Sequence, residues 1–544
     1  MSLAESIFLD RVPFTLSYDY IIYTDGTNVF AFNTKTKQIE FINPDAYVVF
    51  QNVFNNLPNG GAIFVKKGTY TFSQKAIIKT PVSVIGEFAG ISYFMTNGVI
   101  FESANPKQVI LEINPTILQK SIDNLTIANI KFNGNTSPSQ FTAITNQGIY
   151  DPYGLVTGSP DNNNVPVLYC YSTAQWAVTR LKLKNLTFIN AQSGYQLAGI
   201  NGTATGGDTN VNYYGPWDHK YEDLFYFTVC DVVRISGAIG LRFNNLTGHD
   251  HYSSVIALAV TSPTTSSEFK NVFAANQDIP VNGFLSNPDN ALFVFRGSEI
   301  YVENSLHWGI VPLGFAVYYL EAGEQYSLHA RNLSIMDPNY AYTSAIPSPL
   351  YIVAPDYHFV TVENFLLKRG SGGINYGLGA IWLNCGANAT VQLRNFHFEA
   401  ANISGAPSPG IFYQRGTTFP RIYLTDFYVD NAQALFYLPS FNISQMLNKV
   451  YAKNVKFSGF MTPTAITVGA SPFVYQNQDF IEEDIIISGG SVSNIAWSRD
   501  GTTYYNLGLT AGKIRLEPGE YLQITYTTAP TMTKVPVWHT TKNL

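Results

Sequence analysis

The feature that most constrains this chain is a repeat. Five segments share the form Asn or Asp, apolar, any residue, apolar: Asn332-Leu-Ser-Ile, Asn364-Phe-Leu-Leu, Asn395-Phe-His-Phe, Asp426-Phe-Tyr-Val and Asn454-Val-Lys-Phe. They begin 32, 31, 31 and 28 residues apart. Earlier copies stand at Asn129, Asn185, Asn245 and Asn271, and their gaps of 56 and 60 residues read as two coils each. Each unit carries short alternating strands and no 3.6-residue pattern. One such unit cannot bury its own apolar face, whereas stacked units bury a continuous core. An Asn or Asp at one fixed place per coil suits a turn in left-handed geometry, and stacked Asn side chains form hydrogen-bonded ladders. The expectation is a β-solenoid. Leucine-rich and helical repeats lack support because their Leu spacing and helical pattern are absent.

The approach to the repeat has its own signals. Tyr20 to Ile42 reads as a small antiparallel meander, with Asp25-Gly26 as a two-residue hairpin turn and a second turn at Asn33 to Lys37. A helix follows, with Asn43 as N-cap and Pro44 at its first position. Ala46, Val49, Phe50, Val53, Phe54 and Leu57 fall on one face, and Pro58 with Gly60-Gly61 ends it. Residues 469–544 differ from the repeat. Short strands around Asp500-Gly501 and Pro518-Gly519 turns suggest a small β-sandwich, which would block an open solenoid end.

The run DAYVVFQNVFNNLPNGGAIFVKKGTYTF resembles the opening of the pectate-lyase-like proteins. There an amphipathic helix caps the first coil, and a Gly-Gly, apolar strand, Gly-Thr-Tyr run begins the solenoid (here Gly60, Gly61, then Gly68-Thr69-Tyr70). The resemblance implies an all-β chain: a right-handed parallel β-helix with an N-terminal capping helix. The expected organisation is a meander or anchoring segment over 1–43, a β-helix over 44–468 and a sandwich over 469–544. Lyases, hydrolases, epimerases and viral tailspikes share that fold, so fold alone does not choose a function. The meander itself resembles a leader on β-helix proteins of archaea and their viruses.

Composition narrows the function. Only 13% of the 544 residues are charged, against roughly 25% in an ordinary soluble domain. Asn, Thr, Ser and Tyr carry the polarity, which suits binding by hydrogen bonds and ring stacking on an extracellular or virion surface. The net charge of −6 offers nothing to recruit nucleic acid, and no stretch is long and apolar enough for a membrane span. Cys170, Cys230 and Cys385 form no CxxC pair and read as buried free thiols. The opening MSLAESIFLDRVPF lacks the basic and apolar regions of a secretory signal. That favours a virion part over a secreted enzyme.

Long polar stretches between coils carry Tyr150 and Tyr153, then Tyr195, Tyr213, Tyr214 and Trp217. The last four are the candidate glycan-stacking residues. The cluster Trp217-Asp218-His219-Lys220-Tyr221-Glu222-Asp223 precedes Gly248-His249-Asp250-His251 by about one coil. One coil apart, Asp223 and Asp250 would stand side by side with His249 as helper, and a close carboxylate pair is what glycoside hydrolysis needs. Gly248-His249-Asp250 resembles the Gly-His-Gly segment of polygalacturonases. Its third residue departs, no Asn-Thr-Asp or Asp-Asp segment matches, and Arg421-Ile422-Tyr423 lacks the lysine of Arg-Ile-Lys. Asp218, His219, His249, Asp250 and His251 mix the N and O donors that suit a transition metal, but no third acid supports calcium. No metal or cofactor is expected. The reading is therefore a virion spike or fibre, a homotrimer, attaching to a host-surface polysaccharide or glycoprotein and joined to other tail proteins through its N-terminus. The alternatives are a polysaccharide-degrading hydrolase or lyase and a purely structural surface protein.

Overall fold

A computed structural model describes residues 17–537 apart from 89–96, 143–149, 151, 154–161, 174, 201–215, 253–254, 259–263, 277–292, 310–312, 319–326, 337–347, 355, 369–380, 400–411, 415–417, 431–435, 438–448, 459–462 and 479–481. The chain forms two compact units, 1–274 and 275–544.

The first unit opens with the meander β1 (Tyr20–Thr24), β2 (Val29–Asn33) and β3 (Gln38–Asn43). The β1–β2 loop runs over four residues, not two, because the Asp25 carboxylate accepts from the amides of Thr27 at 2.8 Å and Asn28 at 2.7 Å. Helix α1 spans Ala46–Asn55. Its cap is Asp45 rather than Asn43: Asp45 accepts from the Tyr47 amide at 3.0 Å, while Asn43 accepts from the Asp45 amide at 2.9 Å. The apolar face is as the spacing predicts. Ala46, Val49, Phe50, Val53, Phe54 and Leu57 are all buried. Phe50 packs on Tyr70, Phe72 and Phe101 at centroid distances of 6.0, 5.3 and 5.0 Å, so α1 covers the apolar interior of the first coil.

Strands β4 (Gly61–Val65), β5 (Gly68–Phe72) and β6 (Ala76–Ile78) make that coil. Each pairs in parallel with one strand of the next coil: β7 (Val82–Gly86), β8 (Val99–Ser103) and β9 (Leu111–Ile113). Parallel β1 lies on the other edge of β4, with Ile21 opposite Phe64, so the meander covers an edge that would otherwise template foreign strands. Strands Thr126–Asn133, Lys182–Ile200, Lys220–Ser236 and Arg242–His251 then stack in parallel. This is the right-handed parallel β-helix. Aromatic rings line its interior, as in Phe101, Phe132 and Phe188 at 5.7 and 5.8 Å.

From Asn129 onward the Asn motif marks one corner of the described coils. Residues 129, 185, 223, 245, 271, 304, 332, 364, 395, 426 and 454 all have φ between +49° and +62°, a left-handed backbone that Asn and Asp tolerate best among side-chain-bearing residues. Their amides link successive coils: Asn185 Nδ2 donates to Asn129 Oδ1 at 2.9 Å, and Asn245 Nδ2 to Asp223 Oδ1 at 2.9 Å. The register also corrects the coil count. Lys184 lies opposite Ala128 and Leu186 opposite Ile130, so the 56-residue gap from Asn129 to Asn185 is one coil with a long excursion. The 60-residue gap does hold two coils, through Asp223.

In the second unit, strands Phe293–Gly309, Ser327–Met336, Phe359–Lys368, Thr390–Glu399, Arg421–Asp430 and Val450–Ser458 form the same parallel ladder. Asn332, Asn364 and Asn395 each donate to the preceding coil's Asn at 2.8 Å. Asn454 donates to Asp426 at 2.8 Å. Behind them Phe365, Phe396 and Phe427 stack at 5.2 Å intervals. Two four-stranded antiparallel sheets follow between Thr464 and Pro536. They enclose Ile485, Ile487, Ile495, Ile514, Leu516, Leu522, Ile524 and Met532, a β-sandwich core.

Candidate functional site

A second corner column in the first unit builds the most distinctive surface. Asn124, Arg180, Asp218 and Gly240 have φ of 58°, 51°, 55° and 69°. Before this corner, Asp123 lies opposite Thr179, and bridges continue to Trp217 and Ile239. The Arg180 amide donates to Trp217 O at 2.9 Å, and the Asp218 amide to Ile239 O at 3.0 Å. Trp217 is thus fixed by a ladder on both sides while 48% of it stays exposed. After the corner the chain turns one residue inward (Leu181, His219 and Leu241 are buried) and then outward at Lys182, Lys220 and Arg242. These three lie in register on adjacent coils.

Acids answer these cations only in part. Arg180 makes a two-pronged ion pair with Asp123, which holds the Asp123 carboxyl below its usual pKa. Glu222 lies 3.1 Å from Lys182 and 3.4 Å from Lys184. Burial works against its charge, but the two lysines more than offset this and its pKa is lowered. Arg242 is 3.9 Å from Asp218. No acidic group among the described residues pairs with Lys220.

The expected catalytic pair is not brought together. Strand register sets Asp223 opposite Asn245, and Asp250 opposite Thr228. Here the coil is 22 residues long, not the 27 that would align the two acids. Five strand positions separate them, roughly 16 Å at about 3.3 Å per residue, beyond the 5–9.5 Å or so that hydrolysis requires. Asp223 serves the corner ladder. His249 lies parallel to the Phe227 ring one coil below, at 6.3 Å and 10°.

The aromatic candidates divide. Trp217 is available. Tyr213 and Tyr214 lie outside the described residues. Tyr195 is fully buried and offers no face to a sugar, because it points into the coil. Its hydroxyl is 3.3 Å from that of Tyr221, which is 3.0 Å from His219 Nδ1. His219 Nε2 donates to Val178 O at 2.9 Å, so Nδ1 accepts. Burial lowers the His219 pKa to about 4, and the ring is a neutral core residue rather than a ligand. Tyr150 and Tyr153 are each tied to the coils by their own contacts. Tyr150 meets Tyr169 edge-on at 5.3 Å, and the Tyr153 hydroxyl donates to the buried Glu112, which also takes Lys75 at 2.5 Å.

Sequence reasoning missed two features. One is the Lys182-Lys220-Arg242 column. Its signal was present: a basic residue stands three places before the corner in Lys-Leu-Lys-Asn185, Lys-Tyr-Glu-Asp223 and Arg-Phe-Asn-Asn245. The other is the fully buried Asp231-Arg234 pair, bonded at 2.7 and 3.2 Å and joined by Asn164. The two residues lie three apart on the strand Lys220–Ser236, but Asn164 joins them from 67 residues away, and no known motif marks the pair. Among the described residues no group of three or more His, Cys, Asp or Glu side chains could hold a metal. All three cysteines are free and buried, and burial pushes the Cys385 thiol up to about 12.

No family model and no curated protein matches the chain. Among solved structures, the tailspike protein of E. coli bacteriophage HK620 aligns over 90% of each chain at 9% identity, with a TM-score of 0.45. The N-terminal fragment of bacteriophage Phi29 gene product 12 covers 76% of this chain and 64% of its own at 10% identity and TM-score 0.43. A Yersinia enterocolitica Family 28 exopolygalacturonase covers 79% and 83% at 10% identity and TM-score 0.35. These neighbours are pectate-lyase-like β-helix proteins. At such identities the likeness extends to the fold alone, and the fold of this chain rests on its ladder registers.

Proposed function

We propose that this protein is a glycan-binding surface protein of the spike or fibre kind, which attaches a virion to a host-surface polysaccharide or glycoprotein. The observation that carries the reading is Trp217. A large, 48% exposed ring on a residue whose backbone is laddered on both sides is a stacking platform with a fixed base. Binding to it costs little ordering. Arg180, Lys182, Asp218 and Lys220 flank it with hydrogen-bonding groups suited to hydroxyls. Attachment is favoured over cleavage because Asp223 and Asp250 stand in different columns. The spike reading carries with it a homotrimer with parallel axes, contact with other tail proteins through residues 1–43, and a place on the virion surface or outside the cell.

The test is incubation of the full chain with host-envelope polysaccharide, with binding by calorimetry and sizing of the products. Binding without depolymerisation, weakened at least tenfold by Trp217→Ala, is expected. Depolymerisation abolished by Asp223→Asn or Asp250→Asn would overturn the ranking and establish an enzyme. Light scattering checks assembly: a stable monomer at micromolar concentration contradicts the trimer.

A further inference from the structure

Like charges in directly opposed ladder positions repel, and opposite charges attract. The second unit follows that rule. In the position just before its Asn corner, Glu303, Arg331, Glu363 and Arg394 alternate in sign on successive coils. Arg331 meets Glu303 at 2.7 Å and Arg394 meets Glu363 at 3.0 Å. The first unit follows it there too, with Lys184 opposite Glu222, but breaks it two residues earlier. Lys182, Lys220 and Arg242 stand directly above one another, at a ladder spacing of about 4.8 Å. Only Glu268, whose amide donates to Leu241 O at 2.8 Å, ends the run, and it is paired with Lys270. Among the described residues around Trp217, five cations (Arg180, Lys182, Lys184, Lys220, Arg242) face three acids (Asp123, Asp218, Glu222). This surplus sits on a chain whose net charge is −6.

We infer that the face formed by Trp217 and the Lys182-Lys220-Arg242 column takes an anionic glycan, one bearing carboxylates or sulfates on successive sugars. The inference rests on the glycan reading above and adds the charge of the ligand. A column with one cation per coil meets a polymer with charges at regular intervals, and the ligand's anions offset the stacked repulsion that the protein alone leaves standing. Trp217, just across the corner, supplies the apolar contact that an anion site alone would lack. The acidic remainder of the chain repels polyanions, which confines them to this face.

The experiment compares the full chain's affinity for dextran sulfate, polygalacturonate and unmodified dextran at 50 and 300 mM salt. The expected result is that at least one charged polymer binds tenfold or more tighter than dextran and weakens as salt rises. Lys220→Gln with Arg242→Gln should lose tenfold or more in affinity and flatten the salt dependence. Arg331→Gln with Arg394→Gln, a control of equal charge change among ion-paired residues, should bind as the wild type does. Three results overturn the inference: neither charged polymer binds; the Lys220/Arg242 variant keeps wild-type affinity; or the control loses as much. Trp217-dependent binding of dextran at equal strength would sink the anionic preference while leaving the glycan reading intact.

Discussion

The same structural position carries a run of three basic residues in one unit and mostly rings in the other. Three residues before each Asn or Asp corner the first unit carries Thr126, Lys182, Lys220, Arg242 and Glu268. The second carries Tyr301, His329, Thr361, Gln392, Tyr423 and Tyr451. The second set is in register along its ladder, and its rings stack: Tyr301 on His329 at 5.4 Å, Tyr423 on Tyr451 at 4.7 Å. Stacked rings attract one another; stacked ammonium groups do not. The second unit therefore satisfies its outer column from within, and the first leaves its column in need of a counter-charge. Both keep the same corner, so the difference lies in side chains laid on one backbone plan.

The corner gives the largest expected effect. Asn364 both donates to Asn332 and accepts from Asn395, with φ of 56°. Asn364→Ala should cost about 3–4 kcal/mol, from two hydrogen bonds of about 1 kcal/mol each and the left-handed backbone of about 1–2 kcal/mol. Asn364→Gly keeps the backbone at ease and should cost less. Asn185 has an Asp on its upper neighbour, and a carboxylate cannot donate. Asn185→Gly should accordingly cost about 1 kcal/mol less than Asn364→Gly. Equal losses in urea unfolding would show that the amide ladder carries no stability.

A comparable effect is confined to the first unit and depends on pH. His219 has its folded pKa lowered from 6.5 to about 4, so the native state binds fewer protons than the unfolded chain between those values. Stability is fully present above pH 6.5, falls as pH drops toward 4, and is flat in this contribution below that. The loss is about 3 kcal/mol at about 1.4 kcal/mol per pH unit. His219→Gln should flatten the slope of unfolding midpoint against pH over this window, and an unchanged slope would place the sensitivity elsewhere.

Smaller effects separate the two columns directly. Tyr451→Ala should destabilise by about 1 kcal/mol through lost ring stacking on Tyr423. Without ligand and at low salt, Lys220→Gln should leave stability unchanged or raise it slightly, and Arg331→Gln should lower it slightly. Raising the salt should erase both differences. Matching signs for the two substitutions would remove the contrast between repelling and paired columns.

Much of this plan was legible in the chain. The corner Asn residues show because one backbone geometry recurs every coil and few residues accept it. Asp223-Leu-Phe-Tyr fits the motif and completes the column, yet a short 22-residue coil hides it. Asn304-Ser-Leu-His does not fit, because the inward place after the corner holds Ser305, which is buried opposite Leu333. Coil lengths were the weak point. Excursions vary freely at the surface while the ladder does not, so spacing alone misplaced Asp250 against Asp223. Tyr195 was misread for a related reason: it falls in a polar stretch, but one that continues the strand and turns the ring inward.

The most direct measurement is hydrogen exchange of the full chain with and without a saturating host-surface polysaccharide. The account predicts added protection in peptides covering 178–184, 216–222 and 239–244, with none over 301–308, 327–331 or 421–428. Protection confined to the second unit, or none under saturating glycan, would contradict it.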